Sequence, residues 1–129
     1  MNTEKQLQLV SFEQAKRLKE LGFDWKTYRT YKFNGEAAVP ISEQNYNKLD
    51  NRISAPTIAL ALKWFRDEKD LLSDVCLIIT SRYSYSIIKN DGEDFIISID
   101  NNDNTNYPTY EAAESALLDV LLTLLEKEK

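Results

Sequence analysis

With 129 residues, 43% of them hydrophobic, and only three glycines and three prolines, the chain is sized for one core and leaves no room for a second domain or a long disordered tract. It contains no histidine, which excludes Ser-His and Cys-His nucleophilic catalysis, imidazole acid/base chemistry and the usual His-containing zinc sites. The net charge of −5 is unevenly spread: residues 1–36 carry seven Lys/Arg and five Asp/Glu, residues 37–89 seven and six, and residues 90–129 two and ten, so the acidic last third repels phosphate backbones and suits basic partners.

The opening MNTEKQLQLV has neither the basic start nor the apolar run of a signal peptide. No segment reaches the roughly 18 apolar residues needed to cross a bilayer, so a cytoplasmic protein is expected. A first helix is announced by the capping box of Ser11 and Gln14, continued by the stripe Phe12, Ala15, Leu18, Leu21, and stopped by Gly22 with Phe23. Glu13 with Arg17 and Lys16 with Glu20 stand four apart on its wet side. WKTYRTYKF and EAAVPI then flank Asn34-Gly35, the pair favoured in a two-residue type I′ hairpin. Within that first strand, Tyr31 and Phe33 are expected inward.

Residues 41–53 show no clear period and read as loop with one irregular turn. A second helix starts at SAPT, with Ser54 or Ala55 as cap and Pro56 in the first turn, and runs through IALALKWFRDEK. Its apolar residues lie on two sides, Ile58, Leu62 and Phe65 against Leu60 and Trp64, so it is expected to be central. VCLIITS, SYSIIK and DFIISI follow as a three-stranded antiparallel meander, with Cys76 a buried small hydrophobe and NDGE a turn. The last helix begins near Thr109 and presents Leu117, Leu118, Leu121, Leu122, Leu124 and Leu125, a face wider than one core stripe requires. The expected fold is therefore one α+β domain over residues 1–129, ordered α-β-β-α-β-β-β-α, with helices mainly on one face of the meander.

Four constellations bear on function. DNNDNTNYPTYE places Asp100, Asn102, Asn104 and Glu111 at ligand positions of a calcium loop. However, Thr105 replaces the bend glycine and a strand precedes the loop, so it reads as a polar turn, and no metal or cofactor is expected. Asp91, Glu93 and Asp94 form the densest carboxylate group, but at a hairpin tip, where water holds carboxylate pKa values near normal. No catalytic residue is assigned, and the chain is read as a non-enzyme. The segment with Trp25, Lys26, Tyr28, Arg29 and Lys32 interleaves stacking rings with cations, as single-strand nucleic-acid binding requires. The helix, three strands and helix of the last part resemble in order a double-stranded-RNA-binding domain; Glu111 and Glu114 stand where such a domain needs cations, which argues against RNA binding by that route.

The blocks VSFEQAKRLKELGFDW, SAPTIALALKWFRDEK and YPTYEAAESALLDVLLTLLE resemble those of short proteins without an assigned activity from Bacteroides-type bacteria and their phages and mobile elements. The resemblance implies a cytoplasmic, phage-related accessory protein and transfers no site residue. Two functional expectations result. The leading one is a protein-interaction module, with a protein partner at the acidic region or a homodimer joined through Leu118, Leu122 and Leu125. The alternative is single-stranded nucleic-acid binding through residues 25–33.

Overall fold

Caps and stops position the helices, and the computed structural model, which describes residues 7–38, 42–79, 82–90, 96–100 and 107–128, places them close to expectation. Helix α1 spans Phe12–Glu20. The Ser11 hydroxyl accepts from the Gln14 N–H at 3.1 Å and Gln14 Oε1 accepts from the Ser11 N–H at 2.9 Å, which completes the capping box. At the other end Gly22 takes φ +94°. The Phe23 N–H bonds to the Leu18 carbonyl at 3.0 Å and the Gly22 N–H to the Lys19 carbonyl at 3.1 Å, the Schellman arrangement. The ion pairs on this helix differ from expectation: Lys16 pairs with Glu13 at 3.1 Å, and Arg17 reaches across to Glu126 at 2.8 Å. A bidentate guanidinium–carboxylate contact to another helix outweighs a local i,i+4 pair.

Strands β1 (Thr30–Lys32), β2 (Ala37–Ala38) and β3 (Arg52–Ser54) form one antiparallel sheet in the order β2-β1-β3. The hairpin is present but its turn is not type I′. Lys32 faces Glu36, the Gly35 N–H bonds to the Lys32 carbonyl at 2.9 Å, and Gly35 alone takes positive φ, +91°. Asn34 stays at negative φ, which gives a three-residue loop with a left-handed glycine. Tyr31 packs edge-on to Phe12 with its hydroxyl on the Val10 carbonyl, whereas Phe33 is 56% exposed and corrects the inward expectation. The loop of residues 41–53 contains a 3-10 turn, Tyr46–Lys48, and the unforeseen β3. The Asn47 side chain ties them together, accepting from the Ser54 N–H at 2.8 Å and donating to the Phe23 carbonyl at 2.9 Å.

Helix α2 spans Ile58–Lys69 and is capped by Thr57, whose hydroxyl accepts from the Leu60 N–H. Ser54 and Ala55 belong instead to β3 and the residue after it, so Pro56 lies outside the helix. Asp70, in the left-handed conformation at φ 56°, turns the chain directly into β4 (Leu71–Ile79). Strands β5 (Arg82–Asn90) and β6 (Ile96–Asp100) complete the expected meander in the order β4-β5-β6. Helix α3, Tyr110–Lys127, starts at its Thr109 cap.

The layers follow from strand alternation. Tyr85 and Ile87 are buried toward α3, while Ser84 and Ser86 lie on the other parity and are half-exposed. Helix α3 runs along the sheet from Tyr83, whose ring meets Tyr110 at 6.1 Å, to Lys89, which pairs with Glu128 at 2.8 Å. It also packs against α2 and α1, so α3 and not α2 is central. Ala113, Leu117, Leu118, Leu121 and Leu122 are all fully buried. Three packing partners explain the wide leucine face. The α+β class with two small antiparallel sheets is established, and no described helix is long and apolar enough to cross a membrane.

Candidate functional site

In the sheet order β4-β5-β6, β4 is an edge, and no described strand pairs with its outer side. The strand is nine residues long. Edge strands are normally short, charged or covered, because their free N–H and C=O groups template pairing with another chain. Here Asp74 is the one charged residue of LLSDVCLII, and the exposed side chains include Leu72 at 41% and Leu77 at 63%. Cys76 is exposed as well, which corrects the buried expectation. The apolar run VCLII suggested cover on both faces, but α2 and α3 cover one face only.

Beside this edge opens a cleft of about 240 Å³. Its walls are α2 (Ala59, Leu62, Arg66) and α3 (Tyr110, Glu114, Leu117), and its floor and lip are Ser73, Asp74 and Val75 of β4. Each wall follows from helical spacing: Leu62 and Arg66 are one turn apart, as are Tyr110 and Glu114. Arg66 also borders a second depression with Leu72, Ser86 and Ile88, so its side chain crosses the edge near Ser73 and Asp74. Its guanidinium lies 3.6 Å from Asp67, on its own helix.

The electrostatics of the cleft are acidic. Burial, with the neighbouring charge of Glu111, holds the Glu114 carboxyl above its ordinary range. Burial, followed by the charges of Glu114, Asp74 and Glu111, likewise raises the Tyr110 hydroxyl. Neither Asp74 nor Glu114 forms an ion pair among the described residues.

A stability consequence follows from Glu114. A carboxyl whose folded pKa is raised binds more protons in the folded than in the unfolded state, so its ionisation costs stability as pH rises from the unfolded value of about 4.3 through the folded one. Glu114→Gln is expected to stabilise the protein at pH 7 by a few tenths of a kcal/mol, the effect being small because water screens this half-exposed group. The gain should vanish below about pH 4. Paired denaturant titrations at the two pH values test this, and a gain of equal size at both would refute the assignment.

The residues expected to bind nucleic acid divide into two groups. Lys26, Tyr28, Arg29 and Lys32 are exposed, Tyr28 at 58%. Trp25 is half-buried, 6.4 Å from Phe23 and under the Lys63 ammonium at 5.5 Å, so it serves the core rather than a stacking platform. Buried Thr27 and Thr30 explain the period of three in this segment. Thr27 bridges to Gln44 and Thr30 bonds to the Ile53 carbonyl. A cavity of about 400 Å³ lies nearby, between Lys16, Lys19, Glu20, Phe33 and Ile53. The Lys19 ammonium there is held by the Leu49 and Arg52 carbonyls, both at 2.8 Å.

Leu118, Leu122 and Leu125, the expected homodimer surface, are 0%, 0% and 8% exposed within the single chain. The basis of that expectation was an unsatisfied face, and the chain's own core occupies it. Of the calcium-loop residues, Asn102 and Asn104 lie outside the described residues, as do Asp91, Glu93 and Asp94. The backbone frames that loop: Asp100 pairs with Ser86 and Tyr107 with Tyr83, so the chain leaves and rejoins the same side of β5. Among the described residues, no group of three or more His, Cys, Asp or Glu is placed to hold a metal ion.

Sequence reasoning missed Asp74, Arg66 and Tyr110 as neighbours. The available signal was the stretch LLSDV, whose alternation extends the strand four residues earlier than the apolar run alone suggests. In comparisons with family models, curated proteins and solved structures, nothing matches the chain.

Proposed function

We propose that the protein is a non-enzymatic interaction module that captures a protein partner along the outer edge of β4. The observation that carries this reading is the edge itself: nine residues, unpaired on its outer side among the described residues, with Leu72 and Leu77 exposed at either end. Main-chain groups of such an edge supply affinity to an added strand, and flanking side chains supply selectivity. The resemblance of the helical blocks to short phage and mobile-element proteins supports an accessory role in a bacterial cytoplasm.

Affinity capture with the tagged protein and with a Leu72→Lys/Leu77→Lys variant tests the reading. Both positions are exposed, and surface changes of this kind alter stability by only about 0.5 kcal/mol. Protein captured by the parent and lost by the variant is expected; identical recovery with both would reject the edge as the docking surface.

A second reading has one observation in its favour, the exposed Tyr28 flanked by exposed Lys26 and Arg29. It predicts single-strand affinity that weakens with salt and with Arg29→Glu. Absence of binding to mixed-sequence oligonucleotides at low salt would remove it.

A further inference from the structure

We propose that the partner is an extended segment bearing a lysine or arginine, and that this cationic side chain enters the cleft at Tyr110 and Glu114 beside the β4 edge, with Asp74 at its lip on the outward parity of the strand. The inference rests on the interaction reading and gives its partner a chemistry. A strand added to β4 projects alternate side chains toward the face covered by α2 and α3, where the cleft opens. At about 240 Å³ the cleft is smaller than the roughly 300–1,000 Å³ of drug-sized sites and suits one long side chain.

Its lining matches such a side chain from stem to head. Leu62 and Val75, both half-exposed, offer apolar surface to methylenes, as amphipathic side chains require. The Tyr110 ring, 44% exposed, can take a cation over its face. Asp74 and Glu114 supply negative charge without an ion-pair partner among the described residues, and Glu111 adds to it in the first turn of α3. The one cation on the lining, Arg66, lies 3.6 Å from Asp67, which Lys63 holds more closely, so Arg66 keeps a positive charge that Asp74, Glu111 and Glu114 outnumber.

Charge also decides between occupants. A second copy would bring its own Asp74, Glu111 and Glu114 toward the same edge, within the Debye length of about 8 Å at physiological salt, and the chain already carries a net charge of −5. Like charges across a sheet edge oppose pairing, whereas a basic strand is drawn to it. An anionic ligand is excluded by the same field.

The test uses two capped heptapeptides of alternating valine and threonine, one with a central lysine and one with norleucine there, titrated into the full chain. Backbone amide shifts and exchange rates of β4 report edge pairing, and the Tyr110 ring signals report the cleft. The lysine peptide is expected to bind about tenfold more tightly, with affinity falling as salt rises. Asp74→Asn/Glu114→Gln, which keeps the shape of the cleft, should erase that preference while leaving amide protection along β4. Equal binding of both peptides with protected β4 amides would overturn the cation inference and leave the edge reading standing. A lysine preference that survives the double variant would likewise overturn it. No binding of either peptide at millimolar concentration, with β4 amides unprotected, would overturn both.

Discussion

Replacing Leu118 with alanine is expected to lower the unfolding free energy by about 3 kcal/mol, in the range of buried Leu→Ala changes. Leu118 is 0% exposed on the helix that packs against the β4-β5-β6 sheet and both other helices, so no single neighbour can relax into the space. Against a total stability of roughly 5–15 kcal/mol for a domain of this kind, the loss is large. Leu122→Ala should cost a similar amount. Urea titrations measure the effect, and the same samples decide between a core and a dimer interface. If these leucines serve only the chain's own core, the melting temperature of the parent protein is independent of concentration. A melting temperature that climbs with protein concentration would restore the homodimer expectation.

The second large effect comes from one buried amide. Gln14 is 3% exposed, and its Nε2 donates to the Ser115 carbonyl at 3.2 Å, the Ser115 hydroxyl at 3.2 Å and Asp119 at 3.0 Å. A glutamate would serve the capping box equally well, since either side chain accepts from the Ser11 N–H. It would nonetheless put an acceptor-only carboxylate against a carbonyl and a second carboxylate. Gln14→Glu is therefore expected to cost about 3 kcal/mol at pH 7, as for a buried charge without its partner.

The pH dependence has a definite sign. The introduced carboxyl has a folded pKa above its unfolded value of about 4.3, so the folded state binds the extra proton, and stability lost at neutral pH returns as pH falls through the folded pKa. Gln14→Ala removes the same donor without a charge and should lack this recovery. Denaturation of both variants at pH 7 and pH 4 checks the argument: an unchanged deficit for Gln14→Glu at pH 4 would show that the lost donor, and not the carboxylate charge, dominates.

Features set by local chemistry were legible in the sequence. The Ser11–Gln14 box, the Gly22 stop, the Thr109 cap and the three-stranded meander all depend on residues close in the chain, and all were read from it. What escaped depends on distant partners. Strand β3 is three residues long and exists because Ile53 pairs with Tyr31, which no local period records. The type of the Asn34-Gly35 turn depended on whether Lys32 or Phe33 closes the ladder, and one residue of register separates the two. Cys76 was misplaced because an apolar run does not reveal whether its strand has one covered face or two. The cleft was invisible for the same reason: Arg66, Asp74 and Tyr110 come from three elements, and only the packing of α2 and α3 on one sheet makes them neighbours.

The clasp between α1 and α3 also sets the order in which the chain can be completed. Gln14 and Arg17 find their partners 101 and 109 residues later, in Ser115 and Glu126. A growing chain that has just displayed Val10, Ala15 and Leu18 must wait for α3 to emerge, about 5–20 s at ordinary rates of synthesis. During that interval α1 can pack against β3 and Tyr31 but lacks the cover that α3 gives its other flank. Completion of α1 is thus tied to α3, about a hundred residues further on, and a ribosome that stalls before Ser115 leaves a fragment suited to chaperones and proteases rather than a smaller working protein.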